Sequence, residues 1–304
     1  MSVKKQGMNV PFQMRNLWNK SFVLMMVLFT TQVIFSQEED TPKQENNTSK
    51  KDLIKNRKGQ FFASWGWNRA SYSTSDIRFK GDDYDFTLSD VKADDKPNPF
   101  GIKFFDPSKL TLPQTNYKLG YFFKDNYNVV LGVDHMKYVM RQNQEVTING
   151  NIQTGNPDFD GIYNNQTITL TEDFLKFEHT DGLNYAFVGV NRFDNFNHLL
   201  KIHTPNFEVN LEEGIQIGLL YPKTNTTLLG NERYDEFHIS GYGLSAKVGL
   251  NLTFFKHFYL QTDFNLGFID MQNIRTTTNT SDKASQHFYF YETAYTFGYR
   301  FQIF

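Results

Sequence analysis

The chain has 304 residues, with 31 Lys and Arg against 33 Asp and Glu, a formal net charge of −2 and no cysteine. The lack of cysteine excludes disulfides, thiolate metal centres and a Cys-linked lipid anchor, and the slightly acidic balance gives no reason to bind nucleic acid. Mean hydropathy is negative although Phe and Tyr number 31 and 16. That combination argues against helical membrane spans but suits strands that turn only alternate side chains toward lipid.

The first feature in chain order is the apolar run from Phe22 to Phe35, preceded by Lys4, Lys5, Arg15 and Lys20 and followed by Ser36 and Gln37. It is shorter than the roughly 18 residues a membrane helix requires. A basic start, a short apolar centre and a small residue before a polar segment predict a signal peptide over 1–36, cut after Ser36. Met8 and Met14 are alternative starts. Its removal takes away four basic and no acidic residues, bringing the net charge from −2 to −6. Residues 37–58 are almost wholly polar and are expected to be a disordered leader, leaving 59–304 as the folded domain.

Two tight hairpins anchor the rest. Phe123-Lys124-Asp125-Asn126 and Phe255-Lys256-His257 each separate two segments of alternating apolar and polar residues. Working outward from them predicts eight strands at 60–73, 112–123, 128–140, 182–193, 206–221, 238–254, 258–272 and 287–303. Successive side chains on a strand face opposite ways, so each segment has an apolar outer and a polar inner face. On the last, Tyr289, Tyr291, Tyr295, Phe297, Tyr299, Phe301 and Ile303 oppose Glu292, Ala294, Thr296, Gly298, Arg300 and Gln302. Tyr117, Leu119, Tyr121 and Phe123 oppose Gln114, Asn116, Lys118 and Gly120 on the second. The predicted fold is all-β: an eight-stranded antiparallel up-and-down transmembrane barrel. Short turns belong on the inner side, where the connection from Asp194 to Pro205 is unusually long. Longer outer loops fall at 74–111, 141–181, 222–237 and 273–286. Alternating apolar residues predict that the first two are structured, the first as a hairpin through Ile77, Phe79, Tyr84, Phe86 and Leu88.

Two strands strain this pattern. Glu213 falls on the outer face among Leu211, Ile215 and Ile217, and the 128–140 strand changes parity near Asp134–His135, which a bulge would explain. The inward list includes Lys118, Lys247, Asp263, Glu212, Glu292 and Arg300. An eight-stranded barrel has room only for its own side chains, so these opposite charges are expected to pair in a plugged interior rather than line a pore.

Over 59–304 the chain resembles the small outer-membrane barrels of the OmpA/OmpX-like type, and more narrowly a group of Gram-negative outer-membrane barrels without assigned activity. The stretches that carry this include Trp65-Gly66-Trp67-Asn68-Arg69, Gly132-Val133-Asp134-His135-Met136-Lys137-Tyr138 and Gly241-Tyr242-Gly243-Leu244-Ser245. Phe177-Glu178-His179-Thr180-Asp181 followed by Gly182-Leu183-Asn184-Tyr185 belongs to it too. The resemblance implies the cell outer membrane and contact with outer-membrane lipid and lipopolysaccharide. It also implies recognition of the aromatic C-terminal strand by the barrel-assembly machinery, although Phe304 itself falls on the inward parity. It implies no catalytic residue and no cofactor.

His238 and Ser240, two apart on one strand, share a face, and a His within reach can activate a Ser. The predicted register puts both on the outer, lipid-accessible face at the extracellular rim, where the pair resembles the His-x-Ser of outer-membrane lipid A deacylases. That resemblance makes them the candidate catalytic pair of an outer-leaflet lipid A deacylase, with Asp270 as a distant third member in place of the supporting Glu. A polar rim where a strand leaves the membrane is the plainer reading. Glu178-His179-Thr180-Asp181 reads as a metal or acid/base cluster or, preferentially, as a loop brace, and Asp134–His135 with Lys137 is similar. Asp82, Asp83, Asp85, Asp90, Asp94 and Asp95 make the first outer loop acidic, without the spacing of a calcium loop. The function expected is non-enzymatic, structural in the envelope or recognising an extracellular partner through the outer loops.

Overall fold

The computed structural model describes residues 57–98 and 114–303. The expected signal peptide, most of the leader, 99–113 of the first outer loop and Phe304 lie outside the described residues. Fourteen strands form, all in one antiparallel sheet. They are β1 (Gln60–Tyr72), β2 (Ser75–Lys80), β3 (Tyr84–Val91), β4 (Ala93–Asp94), β5 (Thr115–Lys124), β6 (Tyr127–Met140) and β7 (Glu145–Ile152). The chain continues with β8 (Gly161–Thr169), β9 (Leu175–Asn195), β10 (Phe207–Leu220), β11 (Asn225–Leu228), β12 (Gly241–Phe254), β13 (Phe258–Arg275) and β14 (Lys283–Gln302). Six of the fourteen, β2, β3, β4, β7, β8 and β11, lie in the connections, so the total exceeds the eight expected from periodicity.

The longer strands pair in the order β1-β5-β6-β9-β10-β12-β13-β14. β14 in turn runs antiparallel to β1 from Gln60↔Gln302 to Tyr72↔Phe290, so each of these eight has a neighbour on both sides. Sequence alternation dictates their faces. On β12, Tyr242, Leu244, Ala246 and Leu250 are exposed, while Gly243, Ser245, Lys247 and Gly249 are buried. β14 repeats the pattern, with Tyr289, Tyr291, Tyr295, Phe297 and Tyr299 exposed and Phe290, Glu292, Ala294, Thr296 and Arg300 buried.

The two hairpins form where the sequence places them. Asp125 and Asn126 turn the chain between Lys124 and Tyr127. At the other, Phe255 and Lys256 adopt left-handed φ values of 51° and 67°, the double positive φ of a turn whose twist matches its strands.

Both irregular strands have local explanations. Glu213 lies opposite Arg192 in the β9–β10 register, and Arg192 pairs with Asp194 at 2.6 Å, making a charged group on the outer face. In β6 the register against β9 shifts between Met136 and Tyr138. Inward parity persists through Met136, Tyr138 and Met140. His135 and Lys137, on outward parity, are nevertheless buried, the His beside Asn184 at 2.7 Å and the Lys bonded to Asn98 at 3.3 Å. The boundaries also move: β12 begins at Gly241 rather than 238, and β9 extends to Leu175 because β11 and the end of β6 continue its ladder.

Beyond the last β1–β14 pair, β2 takes over as partner of β14, from Ile77↔Gln286 to Lys80↔Lys283. β3 pairs β2, β7 pairs β3 and β8 pairs β7. Their inner face carries Ile77, Phe79, Phe86, Leu88, Val146, Ile148 and Ile152, all buried with Phe174, Leu175, Phe177, Met271 and Ile274. The connections thus extend the apolar core beyond the long strands into a region here termed the head. Phe79 stacks on Phe86 at 5.3 Å between centroids and meets Phe177 edge-on at 5.6 Å. Phe86→Ala should cost the head about 3–5 kcal/mol. Hydrogen exchange should then show faster exchange in β2, β3 and β7 with unchanged protection of the β1–β14 ladder.

Candidate functional site: the filled interior and the outer head

The interior is filled in layers. At its inner end the chain entering β1 turns Arg57 inward. Its guanidinium contacts Glu208 at 3.1 Å and Asn210 at 2.9 Å and lies 4.8 Å from the centroid of Phe193. Asp125 holds this entry by accepting the amides of Arg57 and Lys58, each at 3.0 Å. Arg300 lies over the same Phe193 ring at 4.9 Å, bonds to Thr253 and reaches Glu208 at 3.5 Å. Two cations thus share one carboxylate and one ring.

Above them Lys247 bridges Glu212 at 2.7 Å and Asp263 at 3.5 Å, and Lys118 meets Asp263 at 2.8 Å. All four side chains are buried. Gln261 donates to both acids and Asn128 to Glu212, so every oxygen of the two carboxylates accepts at least one hydrogen bond, as buried charges require. Higher still, Asn116 donates to Asp134 and to Glu292, the latter at 2.8 Å, and Asn265 donates to Glu292 at 2.7 Å. Asn68 and Gln114 carry the polar chain up to Asp95. The cavity left among the lower layers measures about 10 Å³, no more than one water molecule occupies. Periodicity identified six of these charged residues. It missed Asp134, assigned to a parity change, Glu208 near the start of β10, Asp95, read only as part of the acidic loop, and Arg57, which precedes the first strand and carries no alternation signal.

The candidate catalytic pair is not arranged as nucleophile and base. Ser240 is buried, and its hydroxyl donates to the main-chain carbonyl of His238 at 3.3 Å. The His238 ring instead meets Asn273 at 2.9 Å, and burial together with nearby Arg275 holds its imidazole below the ordinary range. Asp270 accepts from Gln272 at 3.0 Å. The predicted register puts Ser240 on the lipid-accessible face; in the structure its side chain is buried, beside the β13 register shift between Met271 and Ile274, where the amides of Gln272 and Asn273 both donate to the Ser240 carbonyl.

Glu178, His179 and Asp181 point to different partners: Asn225 at 2.6 Å, Thr224 at 3.0 Å and Lys223 at 3.4 Å respectively. His179 packs between Tyr138 and Phe177, and burial pushes its imidazole down to about 3. In the acidic loop, Asp85 pairs with Arg78 and Asp94 with Arg141, and those hydrogen bonds hold both carboxyls below the usual range. Asp95 accepts from the Ala70 amide. Among the described residues no three His, Asp or Glu gather as a metal-binding set.

The outer face of the head sheet is polar. Arg78, Thr87 and Asn149 sit side by side across β2, β3 and β7, and Thr147 faces Thr167 across β7 and β8. Ile162 on β8 stands almost fully exposed.

The chain is similar to solved outer-membrane proteins. The outer membrane protein OprG of Pseudomonas aeruginosa matches at 12% identity over 83% of this chain and 100% of its own, with a TM-score of 0.36. Ail, the attachment invasion locus protein of Yersinia pestis, matches at 13% identity over 80% and 99%, with a TM-score of 0.30. The outer membrane protease OmpT of Escherichia coli matches at 9% identity over 80% and 96%, with a TM-score of 0.35. No protein-family model and no curated protein matches the chain.

Lys247→Met strands Glu212 and leaves Asp263 with one cation, so it should destabilise the fold by about 3–5 kcal/mol. Adding Glu212→Gln should recover part of that loss in urea unfolding from lipid. His179 gives a signed pH effect. It stays neutral when folded down to about 3, whereas the unfolded chain protonates it near 6.5. Head stability should therefore fall as pH drops from 6.5 toward 3. His179→Gln should flatten that part of the acid profile, read by head amide exchange.

Proposed function

We propose that the eight long strands form an up-and-down transmembrane β-barrel in the cell outer membrane, carrying a rigid extracellular recognition head and no open pore. The observation that carries this reading is the division of one continuous sheet into two zones. In the lower zone the outward side chains are mainly Leu, Val, Ile, Phe and Tyr, while the inward ones are paired charges and amides interleaved with aromatic rings such as Phe62, Phe122, Phe193 and Tyr259. In the head the polarity reverses, with an apolar inside and a polar outside. The first arrangement suits lipid outside and a plug within; the second suits water outside.

A filled interior supports a structural scaffold over a channel. Loops on a rigid scaffold are where binding tends to reside, and here the outer connections are packed over a buried apolar interior, which supports recognition over passive shielding. The neutral, hydroxyl- and amide-rich face through Thr87, Thr147, Asn149 and Thr167 is the surface offered to a partner. A hydrolase centred on Ser240 has no arranged base to support it.

Three measurements test the proposal together. Liposomes carrying the protein should show no sugar-driven swelling, and Ser240→Ala should leave the acyl composition of lipid A unchanged by mass spectrometry. In intact cells, a photo-crosslinker at Asn149 should capture a discrete macromolecule, whereas one at Leu131 should capture lipid. Sugar passage would remove the plugged barrel, and failure of every head position to crosslink would remove the recognition role.

A further inference from the structure

The inner rim carries two neighbouring protrusions that the barrel reading does not require. The first is the connection from β9 to β10. It is not slack: Leu200 donates to the Phe196 carbonyl at 3.0 Å and Ile202 to that of Asn197 at 2.9 Å, forming a helical turn that ends at Lys201 with φ +55°. Asn197 is buried and fixes the turn to the sheet, donating to the Phe207 carbonyl at 2.7 Å and accepting the Val209 amide at 2.8 Å. The apolar side chains this braced turn presents are Leu199 and Leu200, 70% and 51% exposed, flanked by exposed His198 and Lys201.

The second is the hairpin tip between β12 and β13. Phe255 is 66% exposed and occupies a left-handed conformation, which Gly, Asn or Asp fill at low cost and a bulky aromatic does not. The two protrusions touch, since the Phe255 amide donates to the Asn206 carbonyl at 2.8 Å. Phe258, on the outward face just beyond, is also exposed, so the apolar surface runs from the tip into the belt of outward side chains. Lys201 and Lys256 stand exposed on the two tips.

Two fixed turns that hold leucines and a phenylalanine outward beside lysines match the chemistry of a bilayer interface. Apolar side chains reach the acyl boundary there, while ammonium groups stay at the phosphates. We infer that Leu199, Leu200 and Phe255 form an interfacial anchor that dips into the phospholipid of the inner leaflet, with Lys201 and Lys256 at its headgroups. The inference rests on the proposed membrane barrel and adds a second attachment to it. It fixes the depth of the barrel on the side where β9 and β10 carry the charged group of Arg192, Asp194 and Glu213.

The cysteine-free chain allows a clean test with the whole protein in bilayers of phosphatidylethanolamine and phosphatidylglycerol. Single variants Leu199→Cys, Leu131→Cys and Asn126→Cys each receive a nitroxide, and collisions with oxygen and with a water-soluble nickel chelate are compared. Leu131, 61% exposed in the middle of the outward belt, reports whether the barrel lies in lipid, and Asn126 on another inner turn reports water. The anchor predicts that the label at 199 collides more with oxygen than with nickel, as at 131. A label at 199 that matches 126, or one shielded from both reagents as against a protein partner, overturns the anchor while 131 still reads lipid. If 131 itself reads water, the barrel reading falls first.

Discussion

A strand crossing hydrocarbon finds no water to satisfy its main chain, so every N–H and C=O must bond within the sheet. On the proposed membrane reading, this chain meets the constraint by laying β14 along β1 for thirteen residue pairs, which leaves none of the eight long strands with a bare side in the lower zone. The rest of the architecture follows from that pairing. Inward side chains lose access to bulk water and must find partners among themselves, whereas outward ones face a medium that rewards apolar surface.

The interior shows how the first demand is met. Lysines alternate with acids around a shared centre, amides of Asn and Gln fill the remaining acceptor sites, and aromatic rings cover the arginines at the inner end. Such a network is worth little as net stabilisation, because desolvation offsets much of the ion-pair attraction. Its consequence is that each charge depends on its neighbours, which disfavours both register slip and hydration of the interior. On the proposed reading the barrel is a support, and the chemistry available for contact lies on the head.

Much of the lower zone was legible in the sequence because alternation has a period of two and one face is uniformly apolar. The strands around the 123–126 and 255–257 turns, and the inward placing of Lys118, Glu212, Lys247, Asp263, Glu292 and Arg300, follow from that rule alone. What escaped it depends on departures from the rule. Asp134 keeps inward parity, but the buried His135 and Lys137 beside it disguise the strand, since Asn184 meets the first and Asn98 the second on their outward side. Ser240 looked lipid-facing because nothing in the sequence announces the β13 shift beside it. Arg57 plugs the inner end from outside any strand. The head hairpins were readable from Ile77, Phe79, Phe86 and Leu88. Their fusion with the long strands through the β14–β2 pairing, which carries the apolar core into the head, was not.

The direct test of the central claim is intermolecular nuclear Overhauser contact in lipid nanodiscs between assigned side chains and acyl-chain methylenes. Leu119, Val188, Ile215 and Leu260 should show strong contacts to the methylenes, while Asn251 and Thr296 show none and the Trp65 and Phe297 amides stay protected. Contacts from those outward residues to water instead of lipid would contradict the account.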